Sequence, residues 1–176
     1  LSEIPPGSDG LVLQPYWGPG LRRPLAKGAI IGFSDVHTKI HMYRAIIEGI
    51  AYALREGLES IQKSQHKKVK SLMISGGGSQ SSAICQITAD IFGIPVSRVQ
   101  TIESTSLGAA IATFLAAGEF KTVEEAISAM SHIKDTFEPN EIASQQYNYL
   151  YKKVYTKMFP QLKDIYKYLT KYNKKY

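Results

Sequence analysis

Between positions 40 and 61 apolar residues recur at three- and four-residue steps: Ile40, Tyr43, Ile47, Ile50, Leu54, Leu58 and Ile61. That spacing lays one stripe along a long helix. Lys39, Arg44, Glu48, Arg55 and Glu59 occupy its other face, and Thr38 is the N-cap. The polar run 63–68 ends the helix. Upstream, 5–10 is turn chemistry, rich in Pro and Gly. Residues 11–17 and 28–33 predict two strands, separated by Gly18-Pro19-Gly20 and a polar loop over 21–27. Downstream, the apolar run 69–74 predicts a buried strand that stops at Ser75 and three glycines. A helix then starts near Ser79 or Ser81, with Ile84, Ile87 and Ile91 on one face and Gly93 closing it. Next come a strand over 94–99 and an alanine-rich helix over 106–117, whose small residues predict tight packing on both sides. Thr122 and Glu125 form a capping box for a short helix over 122–131. A helix over 141–159 follows. Pro160 interrupts it, and a last helix has Leu162, Ile165, Tyr166 and Leu169 on one side. Strand-helix alternation of this kind predicts an α/β layered domain with a mixed sheet. We expect one domain over 1–176, with 1–10 a linker remnant and 141–176 a helical tail.

Composition adds little to this picture, and charge adds more. Apolar residues make up 44% and charged residues 20%, ordinary for a globular protein. No apolar run nears the roughly 20 residues of a membrane helix, so no membrane partner is expected. The N-terminus lacks the charged and apolar regions of a signal peptide and reads like a linker from inside a longer chain. Cys85 is the single cysteine, which forbids an internal disulfide and points to a reducing cytoplasm; in its helical setting it is a buried, inert thiol. The net charge of +6 is unevenly spread. Residues 147–176 hold eight Lys against one Asp, together with eight of the eleven tyrosines, whereas 1–146 are one charge negative. The basicity therefore belongs to the tail, read as an amphipathic terminal helix with solvated lysines rather than as a nucleic-acid surface.

The sharpest chemical feature is strand, Gly76-Gly77-Gly78, then helix start. Three glycines permit positive φ and remove every Cβ, so a ligand can lie on the backbone. The following helix offers free N–H groups and the positive end of its dipole. Such a cradle suits a phosphate or a nucleotide's sugar and base, with Ser79, Gln80 and Ser81 placed to hydrogen-bond the ligand or the helix end. No Gly-Lys-Ser/Thr follows, so it is not a P-loop. Ser81 stands where a dinucleotide fingerprint needs its third glycine.

Two longer stretches resemble one family. Gly28-Ala-Ile-Ile-Gly32-Phe33, seven residues, then His41-Met-Tyr-Arg-Ala45-Ile-Ile-Glu48 looks like the C-terminal signature of FGGY carbohydrate kinases. Phe33 stands where an aliphatic residue is usual. The stretch continues family-like through Gly49 to Leu58. Ile74-Ser-Gly-Gly-Gly78, Ala89-Asp90-Ile91 and Glu103-Ser-Thr-Ser-Leu107-Gly108-Ala-Ala110 resemble the adenosine-binding loop and following helices of the same kinases, of the xylulokinase and glycerol kinase kind. The Tyr-x-x-Tyr pattern and Phe159-Pro160 at the end are similar too.

The resemblance implies an actin-like ATPase domain with a ribonuclease-H-type core, one of two flanking a cleft. It implies ATP and Mg²⁺ as cofactors and transfer of the γ-phosphoryl to a sugar or polyol hydroxyl. Gly77 and Gly78 match the glycines that pack against adenosine, Gly76 shapes the turn, and Ser81 stands where glycerol kinases often have a nucleotide-contacting Asn. The family's Asp-x-Gly-Thr phosphate loop and catalytic Asp have no match here. The base is therefore expected in an N-terminal half, which would also read the sugar, and the isolated chain is expected to be inactive. The alternative is a non-catalytic actin-like module kept for assembly, marked by a stable homodimer without nucleotide affinity.

Other residues invite weaker readings. His37 and His41 have the spacing of two metal ligands on a helix but lack a third; helix-start hydrogen bonding is the expected role. Asp35 reads as a loop or capping residue and Asp90 as structural. Tyr16 and Trp17 either line a cleft or pack on the long helix. Arg22 and Arg23 read as a solvated loop.

Overall fold

The computed structural model describes every residue except Ser2, Pro19, Leu21, Arg22 and Tyr176, together with the side chain of Lys174. Arg22 therefore lies outside the described residues. Strand β1 (Val12–Gln14) pairs antiparallel with β2 (Ala29–Ile31), Leu13 opposite Ile30. A second sheet has the order β3 (Leu72–Ile74), β4 (Val96–Val99), β5 (Ile133–Phe137). Its β3 and β4 run parallel and β5 antiparallel, so the sheet is mixed as expected. The helices are α1 (Lys39–Gln65), α2 (Ser82–Phe92), α3 (Ser104–Ala116), α4 (Val123–Met130), α5 (Glu141–Leu150) and α6 (Thr156–Lys175). No helix among the described residues is long and apolar enough to cross a membrane.

Helix α1 starts where the caps predict. Thr38 accepts from the backbone N–H of Ile40, and the N–H of Thr38 donates to Nδ1 of His41 at 3.1 Å. Nε2 of His41 then lies 3.0 Å from Asp9. His37 receives the N–H of Ser34 at 2.8 Å, so both histidines serve the helix entry. His66, at φ 53, ends α1 in the left-handed region.

Of its apolar stripe, α1 buries only Ile47. Tyr43, Ile50, Leu54 and Ile61 are exposed, whereas Arg44 and Glu48 are inside. Two features explain the inversion. Small residues let β1 come close: a Cβ on Gly49 would sit 2.4 Å from the carbonyl oxygen of Leu13. The charged pair is also fully satisfied. Glu48 receives Nε of Arg44 at 2.8 Å, the hydroxyl of Tyr147 at 2.7 Å, the N–H of Gly7 at 3.1 Å and the hydroxyl of Ser8 at 3.0 Å. Arg44 also donates to the hydroxyl of Tyr147 at 2.8 Å and the carbonyl of Leu1 at 2.5 Å. One ion pair thus ties α1 to α5 and to Leu1, Gly7 and Ser8. Gly49→Ala has no room beside Leu13 and is expected to destabilise by about 1–3 kcal/mol, as overpacking does, measured by chemical denaturation.

The core between α1, α2 and α5 is aromatic. Tyr52 meets Tyr147, Tyr151 and Tyr155 at centroid distances of 6.2, 5.7 and 5.2 Å. The last two belong to a π-helical turn, Tyr151–Tyr155, between α5 and α6. This changes the expectation for Pro160, which lies inside α6 rather than between two helices. The π turn just before it already departs from the i→i−4 register that a proline disrupts. Burial pushes the phenols of Tyr52, Tyr147, Tyr151 and Tyr155 well above their ordinary value near 10. In the unfolded chain they lose protons near pH 10, while the fold keeps them protonated. Their contribution is therefore complete below that pH and falls as pH rises through and beyond 10. Alkaline titration followed by tyrosinate absorbance is expected to show four phenols ionising only on unfolding.

One further expectation fails, and one strand was not foreseen. No described residue of α3 is buried, and the helix packs on α4, with Phe114 edge-to-face on Phe120 at 6.3 Å. Its alanines reflect helix propensity, not confinement. Strand β5 has no counterpart in the sequence reading. It is an edge strand with exposed Ile133, held by long-range pairs to β4 that a local pattern does not carry.

Candidate functional site

The glycine loop joins β3 to α2. Gly76 has φ 85, a conformation that glycine alone adopts readily. Gly77 and Gly78 differ: they begin a short 3₁₀ turn, Gly77–Gln80, and neither has positive φ. A Cβ at 76, 77 or 78 would meet nothing within 4 Å. So Gly76 is required by the backbone, whereas Gly77 and Gly78 are required neither by the backbone nor by packing inside the chain.

The serines split in role. Ser79 is buried and donates to the carbonyl of Gly76 at 2.7 Å, closing the loop on itself. Ser81 is the N-cap of α2, its hydroxyl accepting from the N–H of Ile84 at 3.4 Å. The first N–H groups of α2 have no intrahelical carbonyl partner. Ser75 meets Ser104 at 3.1 Å, which brings the first turn of α3 to the loop as well. Two helix starts therefore converge on an open glycine shelf.

Sequence reasoning missed what braces this shelf. Arg98 on β4 donates to the carbonyls of Ser79 at 3.0 Å and Gln80 at 3.2 Å, and is itself held by Asp135 of β5 at 2.5 Å. A lone arginine in the strand Val-Ser-Arg-Val was the available signal; its partner lay on the unrecognised strand. Cys85 is buried beneath the loop, its thiol 3.5 Å from the carbonyl of Ser79, and burial raises its pKa. Asp90 accepts from Gln86 at 2.9 Å and from the N–H of Asn140 at 2.8 Å, a structural tie between α2 and α5. Asp35 sits exposed in the turn before α1.

The aromatic pair also separates. Tyr16 packs edge-to-face on Phe159 at 6.2 Å and donates to Glu56 of α1 at 3.1 Å, whereas Trp17 is exposed. Arg23 is not a solvated loop residue. It pairs with Glu56, and its guanidinium lies 4.8 Å over the ring of Phe159. The half-buried rings of Tyr16 and Phe159 attract that guanidinium more than the loop composition suggested.

The segment 76–81 holds no acid and no base, so the shelf can grip a ligand but cannot move a proton. Among the described residues no cluster of three or more His, Cys, Asp or Glu could hold a metal. The shelf is an open loop at the end of a strand in an α/β domain with a mixed sheet, the layout of an actin-like ATPase fold.

Comparison with known proteins agrees. Residues 2–117 match the model of the C-terminal domain of the FGGY family of carbohydrate kinases. The chain belongs to that family. It is 35% identical over 163 residues to a xylulose kinase of Staphylococcus epidermidis, covering 90% of this chain and 32% of that protein. It is 36% identical over 132 residues to glycerol kinase 1 of Clostridium tetani, covering 75% of this chain and 25% of that protein. Ligand-bound xylulose kinase from Lactobacillus acidophilus superposes with a TM-score of 0.83 at 26% identity, over 96% of this chain and 34% of that one. The chain thus spans about a quarter to a third of the length of these relatives.

Proposed function

We propose that this chain is the ATP-gripping domain of a kinase that transfers the γ-phosphoryl of ATP to a hydroxyl of a sugar or polyol. A pentulose such as xylulose, or glycerol, is the substrate class, supported by the relatives' names. The single observation that carries the reading is the open space over Gly77 and Gly78, glycines that the chain itself has no need of. Adenosine would lie on that shelf, with Gly76 shaping the turn and Ser81 at the helix start beside the ligand. The shelf has the character a Cβ would spoil, so the residues present fit a nucleotide. ATP supplies the transferable phosphoryl group. Mg²⁺ would ride on its phosphates, since the described residues offer no metal cluster of their own.

The chain's own residues orient the nucleotide: Arg98 fixes the loop carbonyls, and α2 points its N–H groups toward the shelf. The general base and most sugar contacts belong to an N-terminal domain of the longer protein. We place that protein in the cytoplasm, where ATP is and where the lone buried thiol of Cys85 stays reduced. Calorimetric titration of this chain with ADP and Mg²⁺ tests the reading: weak saturable binding is expected, and no heat at millimolar ligand sinks it. A stable dimer without nucleotide affinity would instead mark an assembly module.

A further inference from the structure

At the opposite end of β3 from the glycine loop lies a second concavity, of about 830 Å³. Its floor is apolar: Leu58, Val69, Phe92 and Ile94. Its rim is cationic. Lys63 comes from the end of α1, His66, Lys67 and Lys68 from the turn that follows, and Lys152 from the π-helical turn.

Glu59 is the sole acid on its walls, and it is already engaged. It receives Nε of Arg55 at 3.0 Å and the hydroxyl of Tyr151 at 2.9 Å. Arg55 is committed as well, donating to the carbonyl of Ile91 and to Asn148, each at 2.8 Å, and lying 4.2 Å over the ring of Tyr151. One wall is thus fixed and close to neutral. The ammonium groups of Lys63, Lys67, Lys68 and Lys152 make no hydrogen bond or ion pair among the described residues.

The carbonyl end of α1 accounts for Lys63 alone, because a helix dipole acts within its last turn. It does not account for Lys67 and Lys68 beyond the helix, nor for Lys152 from another element. General basicity does not account for Lys67 and Lys68 either, since residues 1–146 carry one net negative charge; Lys152 comes from the basic tail. Unpaired cations around one concavity with low-dielectric walls focus a positive potential into it. The volume suits a small molecule rather than a polymer. The π turn that delivers Lys152 is of a kind concentrated at functional sites.

We propose that this recess binds a small phosphorylated metabolite, its phosphate among the lysines and its body on the apolar floor, at a site separate from the glycine loop. The proposal does not rest on the nucleotide reading. Inorganic pyrophosphate is the probe, titrated into ¹⁵N-labelled chain and followed by NMR. Saturable shifts are expected at 63–69 and around 152. Lys67→Glu and Lys152→Glu should each weaken binding at least about tenfold, since a like charge replaces an attractive one. Lys163→Glu on α6 and Gly78→Glu should leave it unchanged. The proposal is overturned by shifts spread evenly over the tail lysines, by indifference to Lys152→Glu, or by no saturation at millimolar pyrophosphate. Loss of binding in Gly78→Glu would assign the anion to the glycine loop and also overturn it. So would single-stranded nucleic acid binding through these lysines while pyrophosphate does not saturate.

Discussion

Glu48→Ala is expected to destabilise the domain by about 3–5 kcal/mol, the cost of leaving a buried cation without its partner. Arg44 and Glu48 have side chains only 8% and 3% exposed, so water cannot replace the lost carboxylate. Four donors lose their acceptor at once: the guanidinium of Arg44, the hydroxyls of Tyr147 and Ser8, and the N–H of Gly7. Each unsatisfied buried donor costs about 1–3 kcal/mol alone, though these costs overlap in one network. For a chain of this size the midpoint should fall by on the order of 10 °C. Glu48→Gln keeps a neutral acceptor and should cost less. Replacing both partners, Arg44→Met with Glu48→Leu, should cost less than Glu48→Ala alone, because no uncompensated charge stays buried. A loss below about 1 kcal/mol for Glu48→Ala would show that the network is not what joins α1 to α5.

The second large effect falls on binding and spares the fold. Gly77→Asp or Gly78→Glu adds a side chain where the chain has only empty space and ordinary φ. Neither substitution meets a neighbour within 4 Å, so stability should stay within about 0.5 kcal/mol of the parent, as for surface changes. Each carboxylate nonetheless fills the shelf and faces an anionic ligand. Like-charge juxtaposition costs several kcal/mol, so adenine-nucleotide affinity should fall at least about 30-fold. Arg98→Ala should act more gently: it frees the carbonyls of Ser79 and Gln80, loosening the loop without occupying it.

These two regions show what the sequence could and could not reveal. The starts of α1, α2 and α4 and the end of α2 were legible because their signals are local. Thr38, Ser81 and Thr122 cap, and Gly93 ends α2 with φ 66. The strand-glycine-helix order was legible for the same reason. The buried face of α1 was not. Periodicity assigns the inside to the stripe from Ile40 to Ile61, whereas this helix buries only Ile47 of that stripe, together with Ala45, Gly49, Ala51, Tyr52 and an ion pair. That choice depends on Tyr147, about a hundred positions away, and on Leu13 approaching Gly49. Strand β5 and the Arg98–Asp135 brace were hidden likewise, since each exists only through a distant partner. At the glycine loop, the local pattern left the three glycines alike, and only the family resemblance set Gly76 apart as the residue that shapes the turn. The structure separates Gly76, which shapes the backbone, from Gly77 and Gly78, which leave room.

The room over Gly77 and Gly78 is proposed to be for a nucleotide. Calorimetric titration of the parent chain and of Gly78→Glu with ADP and Mg²⁺, alongside thermal melts of both, tests it most directly. Weak saturable binding by the parent, its loss in Gly78→Glu, and melts that coincide are expected. Equal binding by both proteins, or none by the parent at millimolar ADP, would contradict the proposal.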